Sequence, residues 1–102
     1  MNRIKKYVSL FPMEVEVTKE IIEEGLKCQY DSYRCLGVLT LAKGLGDNVS
    51  LVSGGLIWGT YSSETIVGDE IMLTSSYDSD GKEVNMMEIT EPCTITLKTK
   101  EA

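Results

Sequence analysis

Apolar and acidic side chains alternate in the segment Met13–Val17 (MEVEV). A period of two is typical of a β-strand with one buried face and one face in water. The apolar run before it, Tyr7–Phe11, is either a continuation of this strand or a separate short strand. Pro12 lies between the two segments and marks either a break or a position on a sheet edge. The pattern therefore predicts that the chain begins with strand structure.

Two short helices are predicted after this strand. Thr18 is a suitable N-cap for a helix over about Lys19–Glu24, because acidic residues favour its first turn and Gly25 is placed to end it. A second helix is predicted over about Tyr33–Lys43, with Gly44 as the glycine that follows its last turn. Its predicted buried stripe consists of Cys35, Val38, Leu39 and Ala42.

The middle of the chain has the pattern of a β-hairpin. Val49–Val52 and Leu56–Tyr61 are apolar runs of strand length, and the glycine-containing segment Ser53–Gly55 between them is short enough for a hairpin turn. We therefore predict two antiparallel strands here.

The C-terminal part gives one ambiguous segment and one clear strand. Asp69–Tyr77 suits either a strand or a short helix, and periodicity does not separate the two. Asp80–Gly81 marks a turn, and Thr94–Lys98 alternates again as a terminal strand. The whole pattern predicts one α+β domain over residues 1–102, with residues 1–6 as a candidate flexible segment. Its single-layer, mostly antiparallel sheet has four to five strands, and two or three short helices pack on one face.

Length and composition fit this prediction. A chain of 102 residues can bury one hydrophobic core but not two, and 42% hydrophobic with 25% charged residues is close to the average of folded proteins. No apolar stretch approaches the roughly 20 residues that cross a bilayer. We therefore expect a cytoplasmic protein that does not associate with membranes.

The sequence contains no histidine, which excludes Ser-His-Asp triads, Cys-His dyads and His-ligated metals. We therefore expect a protein that is not an enzyme and has no cofactor. The alternative is a small carboxylate- and metal-dependent hydrolase or nuclease. That alternative predicts that Asp69, Glu70, Asp78 or Asp80 converge in one pocket.

The three cysteines, Cys28, Cys35 and Cys93, cannot all pair within one chain, so we expect free and mostly buried thiols. Six residues separate Cys28 from Cys35, which is outside the spacing of zinc knuckles. Cys28, in a polar segment, is the better candidate for a reactive thiol. No metal site is predicted.

The segment Asp78–Gly81 (DSDG) matches the core of a calcium-binding loop. Met87 occupies the position of the bidentate glutamate, so an ordinary acidic turn is the favoured interpretation. A calcium- or thiol-dependent switch is a second alternative function.

Two aromatic residues and two methionines are candidates for contact with a partner. Trp58 and Tyr61 lie three residues apart on one predicted strand, so they face opposite sides. Either one of them is an exposed binding anchor, or Trp58 is a core residue with Tyr61 at the rim, which general burial tendencies favour. Met86 and Met87 are either adaptable contact surface or core filling. The predicted binding surface comprises Trp58, Tyr61, Asp69, Glu70, Asp78 and Asp80.

The order of several motifs resembles that of a known group of proteins. Ile22–Gly25 (IEEG) follows the first strand, Cys35–Ala42 (CLGVLTLA) follows as a helix, and Tyr77–Val84 (YDSDGKEV) precedes the last strand. Over residues 13–97 this order resembles a loose group of small, uncharacterised bacteriophage proteins. The resemblance implies a viral or prophage origin and a short helix over Asp69–Tyr77, and it transfers no catalytic residue.

The charge distribution indicates the kind of partner. The formal net charge is −6, and between residues 44 and 97 nine carboxylates accompany a single basic residue, Lys82. Such a surface disfavours direct nucleic-acid binding and attracts basic partners. We therefore expect a non-enzymatic binding protein of phage or mobile-element origin that binds a host protein or sequesters a small nucleotide-like ligand, as a counter-defence inhibitor does. A homodimer is a further expectation, with the last strand as an exposed edge.

Overall fold

The computed structural model of the protein describes residues 7–27, 34–46, 52–56, 63–68 and 70–100. The helices within these ranges are α1 (Lys19–Lys27) and α2 (Leu36–Leu45). The strands are β1 (Met13–Val17), β2 (Val52–Leu56), β3 (Ser63–Val67), β4 (Glu70–Tyr77), β5 (Glu83–Val84) and β6 (Cys93–Lys100). Two short 3-10 turns cover Val8–Leu10 and Met86–Glu88.

The strands form one open antiparallel sheet in the order β1-β6-β4-β3-β2, and the two-residue strand β5 also pairs with β4. Together with the two helices, this confirms the predicted small α+β fold. The last strand is not an edge, because β6 forms hydrogen bonds with β1 on one side and β4 on the other. The prediction that the last strand is an exposed edge is therefore wrong, and β1 and β2 form the two ends of the path.

Alternation along β1, β3 and most of β6 separates an inner, helix-covered face from an outer face, whereas in β4 Thr74, Ser75 and Ser76 are all buried. In β1, Val15 and Val17 are buried while Glu14 and Glu16 are exposed, as the sequence pattern predicts. Helix α2 packs against β1 and β2, and α1 packs against α2. The buried hydrophobic residues form one core: Val15, Val17, Ile22, Leu36, Val38, Leu41, Leu45, Val52, Val67, Met72, Ile95 and Leu97.

Helix α1 begins where the sequence predicts and ends later. The Thr18 side chain accepts a hydrogen bond from the backbone N–H of Ile21 at 3.3 Å, which confirms Thr18 as the N-cap. The helix continues through Gly25 to Lys27, so the prediction that Gly25 ends it is wrong. Gly25 serves close packing instead, because a Cβ atom there would lie 2.9 Å from the Cβ of Leu36 in α2.

Helix α2 is displaced towards the C-terminus relative to its predicted span. It begins at Leu36, whereas the predicted first residue, Tyr33, lies outside the described residues. It runs past Gly44 to Leu45, and Gly46 then adopts a φ of 59° while its N–H bonds the carbonyl of Ala42. Of the predicted stripe, Val38 is buried, Cys35 and Ala42 are partly buried against the core, and Leu39 is not part of it. The buried residues of the helix are Leu36, Val38, Thr40, Leu41 and Leu45.

The predicted hairpin around Ser53–Gly55 is wrong. These residues lie inside β2, which pairs with β3, a strand that no sequence pattern indicated. Gly54 suits the strand because a Cβ atom there would approach a methyl group of Val38 to 3.0 Å, so its absence lets α2 lie close to the sheet. Residues 57–61, which belong to the second predicted strand, lie outside the described residues.

The ambiguous segment before Asp78 is a strand. Residues Glu70–Tyr77 form β4, the central strand, so the short helix implied by the resemblance is wrong there. The terminal strand predicted over Thr94–Lys98 is confirmed within the longer β6. The run Tyr7–Phe11 contains the 3-10 turn Val8–Leu10 and not a strand. Within the described part of the chain, no helix is both long enough and apolar enough to span a bilayer.

Candidate binding site

The structure scatters the residues of the predicted binding surface. Trp58, Tyr61 and Asp69 lie outside the described residues. Glu70 begins β4 with its side chain on the inner face, and with 7% exposure it cannot contribute to an exposed surface. Of the predicted acidic residues that the structure describes, the turn after β4 holds the remaining two, Asp78 and Asp80.

Asp78 organises the turn between β4 and β5. Its Oδ1 accepts hydrogen bonds from the backbone N–H groups of Asp80 and Lys82, both at 2.9 Å. The Gly81 N–H bonds the Asp78 carbonyl at 3.0 Å, and the φ of 81° at Gly81 explains why glycine is needed. The DSDG segment is thus the ordinary acidic turn that the sequence analysis favours, with one carboxylate oxygen bound to its own backbone.

The acidic residues of β4 and its turn do not converge. Glu70 and Asp78 stand at opposite ends of the strand, eight residues apart, which corresponds to about 26 Å along an extended chain. Across the ranges that the structure describes, no three cysteine or carboxylate side chains come together in a way that could hold a metal ion. The pocket required by the metal-dependent hydrolase alternative is not formed by Glu70, Asp78 and Asp80.

The two described cysteines occupy different environments, and both are free. Cys35 is half-buried at the N-terminus of α2, where its carbonyl accepts the N–H of Leu39 at 2.9 Å. Cys93 begins β6 and is largely exposed, although partial burial raises the pKa of its thiol above the ordinary value. Cys28 lies outside the described residues.

A shallow apolar groove lies where α1, the start of α2 and the Met86–Glu88 turn meet. We call it the helix groove. Two of its side chains are well exposed for apolar residues, namely Leu26 at 62% and Met87 at 41%. Its free volume is about 20 Å³, enough for a methyl-sized group. Its lining consists of Ile22, Gly25, Leu26, Cys35, Leu36, Met87 and Ile89.

Local sequence features produce each wall of the helix groove. The close approach at Gly25 brings α1 against Leu36 and sets the floor. On the opposite wall, the Asn85 side chain accepts the N–H of Met87 at 3.0 Å, and the Asn85 carbonyl accepts the N–H of Glu88 at 2.9 Å. These bonds fix a tight turn that leaves the Met87 side chain exposed while Met86 packs against the core.

Charged residues of both signs adjoin the lining residues of the helix groove along the chain. On α1, Lys19 and Glu23 form an exposed pair with a 4.0 Å separation, a neutral combination. Next to lining residues in the chain, Glu88 is an exposed carboxylate beside Met87, while Lys27 and Arg34 are exposed cations beside Leu26 and Cys35. The lining itself is therefore apolar, and the charges adjoining it are of both signs.

The sequence analysis found only part of this site. Leu26 was missed because Gly25 was expected to end the helix before it. Met87 was recognised as either contact surface or core, and its exposure makes it surface. A signal for Leu26 was available, because Ile22 and Leu26 are four residues apart and share one face once the helix continues.

Comparison with known proteins adds no relative: no protein-family model, no curated protein and no solved structure matches this chain.

Proposed function

We propose that this is a non-enzymatic binding protein that holds a partner protein at the helix groove. The observation that carries the proposal is the pair of exposed apolar side chains, Leu26 and Met87, on either side of a groove only about 20 Å³ in volume. Pockets for nucleotide-sized ligands usually enclose several hundred Å³. A groove of this size admits the methyl end of one apolar side chain of a protein.

The partner surface that fits is an apolar anchor flanked by lysine or arginine. Glu88, which lies between the lining residues Met87 and Ile89 in the chain, is an exposed carboxylate, and the whole chain carries a net charge of −6. Opposite charge on the partner would raise the association rate, while burial of Leu26 and Met87 would supply affinity. Methionine suits such a surface because its unbranched side chain adapts to different anchors.

The setting that we propose follows from the resemblance to bacteriophage proteins. The partner would be a host protein in the cytoplasm, and occupying it would interfere with its activity, as a counter-defence inhibitor does. Binding alone accounts for such an effect, so the proposal requires no catalytic residue and no cofactor.

The test is quantitative affinity capture from bacterial lysate with matched variants. We expect Leu26→Asp and Met87→Asp each to lower the amount of the captured partner at least tenfold, because a carboxylate would be desolvated against an apolar anchor. The control is Ile71→Asp, since Ile71 is as exposed as Leu26 but lies on the outer face of the sheet.

The captured species must also meet a chemical criterion. Crosslinking from position 26 should join it through a segment that contains an apolar residue between basic residues. If the set of captured proteins is the same for the wild type and both groove variants, the proposed function is wrong. It is also wrong if the crosslinked segment is acidic.

A further inference from the structure

We propose that the helix groove is a redox-sensitive contact surface, because oxidation of the Met87 thioether to the sulfoxide closes it to an apolar partner. The inference rests on the function proposed above, since it concerns the regulation of the same groove. It is carried by the exposure of Met87, by the hydrogen bonds that hold its turn, and by the apolar character of the groove lining.

Met87 is the most exposed methionine in the part of the chain that the structure describes. It is 41% exposed, whereas Met72 in β4 is 3% exposed. Met13 and Met86 are partly buried and pack against the core. A dissolved oxidant reaches an exposed sulfur more readily than a buried one, so Met87 should be oxidised first.

The backbone at Met87 is held beside the groove by its own turn. The Asn85 side chain accepts the N–H of Met87 at 3.0 Å, and the Met86 carbonyl accepts the N–H of Ile89 at 3.2 Å. None of these bonds uses the Met87 side chain. A chemical change at the Met87 sulfur therefore alters the wall of the groove and leaves the bonds of the turn intact.

A hydroperoxide such as hydrogen peroxide is the oxidant. The Met87 sulfur attacks one peroxide oxygen, an S–O bond forms as the O–O bond breaks, and water leaves. The sulfur is oxidised by two electrons, and the peroxide is reduced by two. A thiol-dependent sulfoxide reductase reverses the step, because two thiols become a disulfide while the sulfoxide oxygen leaves as water.

The sulfoxide oxygen would be costly beneath an apolar anchor. This oxygen is a hydrogen-bond acceptor, and the lining side chains offer it only the Cys35 thiol, a weak donor. In the free protein, water can bond the oxygen because Met87 is exposed. An apolar anchor displaces that water and leaves the acceptor without a full partner. Oxidation should therefore weaken binding at the groove without destabilising the fold.

Peroxide treatment of the full chain tests the site of oxidation without any partner. Mass spectrometry should show that Met87 is oxidised at least tenfold faster than Met72, in line with their exposures. Dithiothreitol is added afterwards, because it returns sulfenic acids and disulfides to thiols but leaves the sulfoxide in place. Thermal unfolding followed by circular dichroism should give the same midpoint before and after treatment.

Binding of a synthetic peptide tests the effect on the groove. The peptide carries one leucine between two lysines, and fluorescence anisotropy measures its dissociation constant. Oxidation should raise this constant at least tenfold for the wild type. Met87→Leu keeps an apolar wall that peroxide cannot oxidise, so this matched control should bind equally well before and after treatment. Met87→Gln, which is polar and uncharged, should reproduce the loss without peroxide.

The outcomes separate the switch from the proposed function. If the peptide binds reduced and oxidised wild type equally, or if treated Met87→Leu loses binding as the wild type does, the switch is wrong and the function of the groove stands. Oxidation of Met72 or Met86 before Met87 would also overturn the switch. If the reduced wild type does not bind the peptide, both proposals are wrong.

Discussion

Two buried threonine hydroxyls, at Thr40 and Thr65, have opposite hydrogen-bonding situations. Thr40 in α2 is 0% exposed, and its Oγ1 has no hydrogen-bond partner among the residues that the structure describes. The hydroxyls of Thr65 on β3 and Thr74 on β4 are 3.1 Å apart and form a hydrogen bond across the strands. One hydroxyl therefore costs stability, and the other contributes to it.

Exchanging each threonine for valine should reveal this difference. Thr40→Val removes an unsatisfied group at nearly constant shape and should raise the free energy of unfolding by about 1 kcal/mol. Thr65→Val removes the hydrogen-bond partner of the Thr74 hydroxyl and should lower the free energy of unfolding by about 1–2 kcal/mol. Urea denaturation of both variants measures the change, and two changes of the same sign would contradict the assignment.

Two glycines in the helices, Gly25 and Gly37, have different structural roles. A Cβ atom at Gly25 in α1 would lie 2.9 Å from the Cβ and 3.0 Å from the Cα of Leu36, whereas nothing lies within 4 Å of the position that a Cβ would take at Gly37 in α2. A methyl group at Gly25 would force the helices apart, because the atoms that it meets belong to a backbone that cannot rotate away.

Gly25→Ala should therefore lower the free energy of unfolding by about 1–3 kcal/mol despite the better helix propensity of alanine. Gly37→Ala should leave it unchanged or raise it by up to about 1 kcal/mol. Thermal and urea unfolding distinguish the two variants. A neutral Gly25→Ala would show that the helices do not need this close approach, and it would remove the basis of the groove floor.

The elements that the sequence predicts correctly are those specified by local signals. The alternation of β1 and the Thr18 cap of α1 depend on residues next to one another, and both are confirmed. The errors occur at Gly25, Gly44 and Gly54, where a glycine permits close packing against another element instead of ending its own. Such a role depends on a neighbour distant in sequence, which periodicity does not contain.

Within the candidate site, the parts formed by neighbouring residues could be predicted from the sequence, and the part formed by long-range packing could not. The acidic turn at Asp78 could be predicted from the DSDG segment alone, because each of its hydrogen bonds joins nearby residues. The helix groove could not, since Leu26 and Met87 come together only after α1 and the Met86–Glu88 turn have packed on α2. Residue type identified Met87, but only the tertiary structure places it beside Leu26.

For the whole molecule, the position of β6 determines which substitutions the sheet can accept. Thr96 lies opposite Glu14 of β1 and Tyr77 of β4, so β6 is bonded on both sides at this point. Thr96→Pro should abolish cooperative unfolding, because proline removes a ladder hydrogen bond whichever side it faces. Ser79→Pro is the matched control, since this exposed turn position suits proline.

Circular dichroism during thermal unfolding measures both proline variants. We expect a cooperative transition for Ser79→Pro and a broad, featureless change for Thr96→Pro. A cooperative transition for Thr96→Pro near the wild-type midpoint would contradict the interior position of β6. An edge strand could accept proline on its solvent side, so this comparison separates the observed topology from one in which the last strand ends the sheet.

The pairing of Val15 with Ile95 also has a consequence for biosynthesis. Ribosomes add about 5–20 residues per second, so β1 is translated about 4–16 s before its strand partner. During that interval its apolar side chains have no sheet to join and are available to chaperones or to other nascent chains. The acidic residues at alternate positions of β1, Glu14 and Glu16, keep this strand charged while it has no pairing partner, which opposes aggregation.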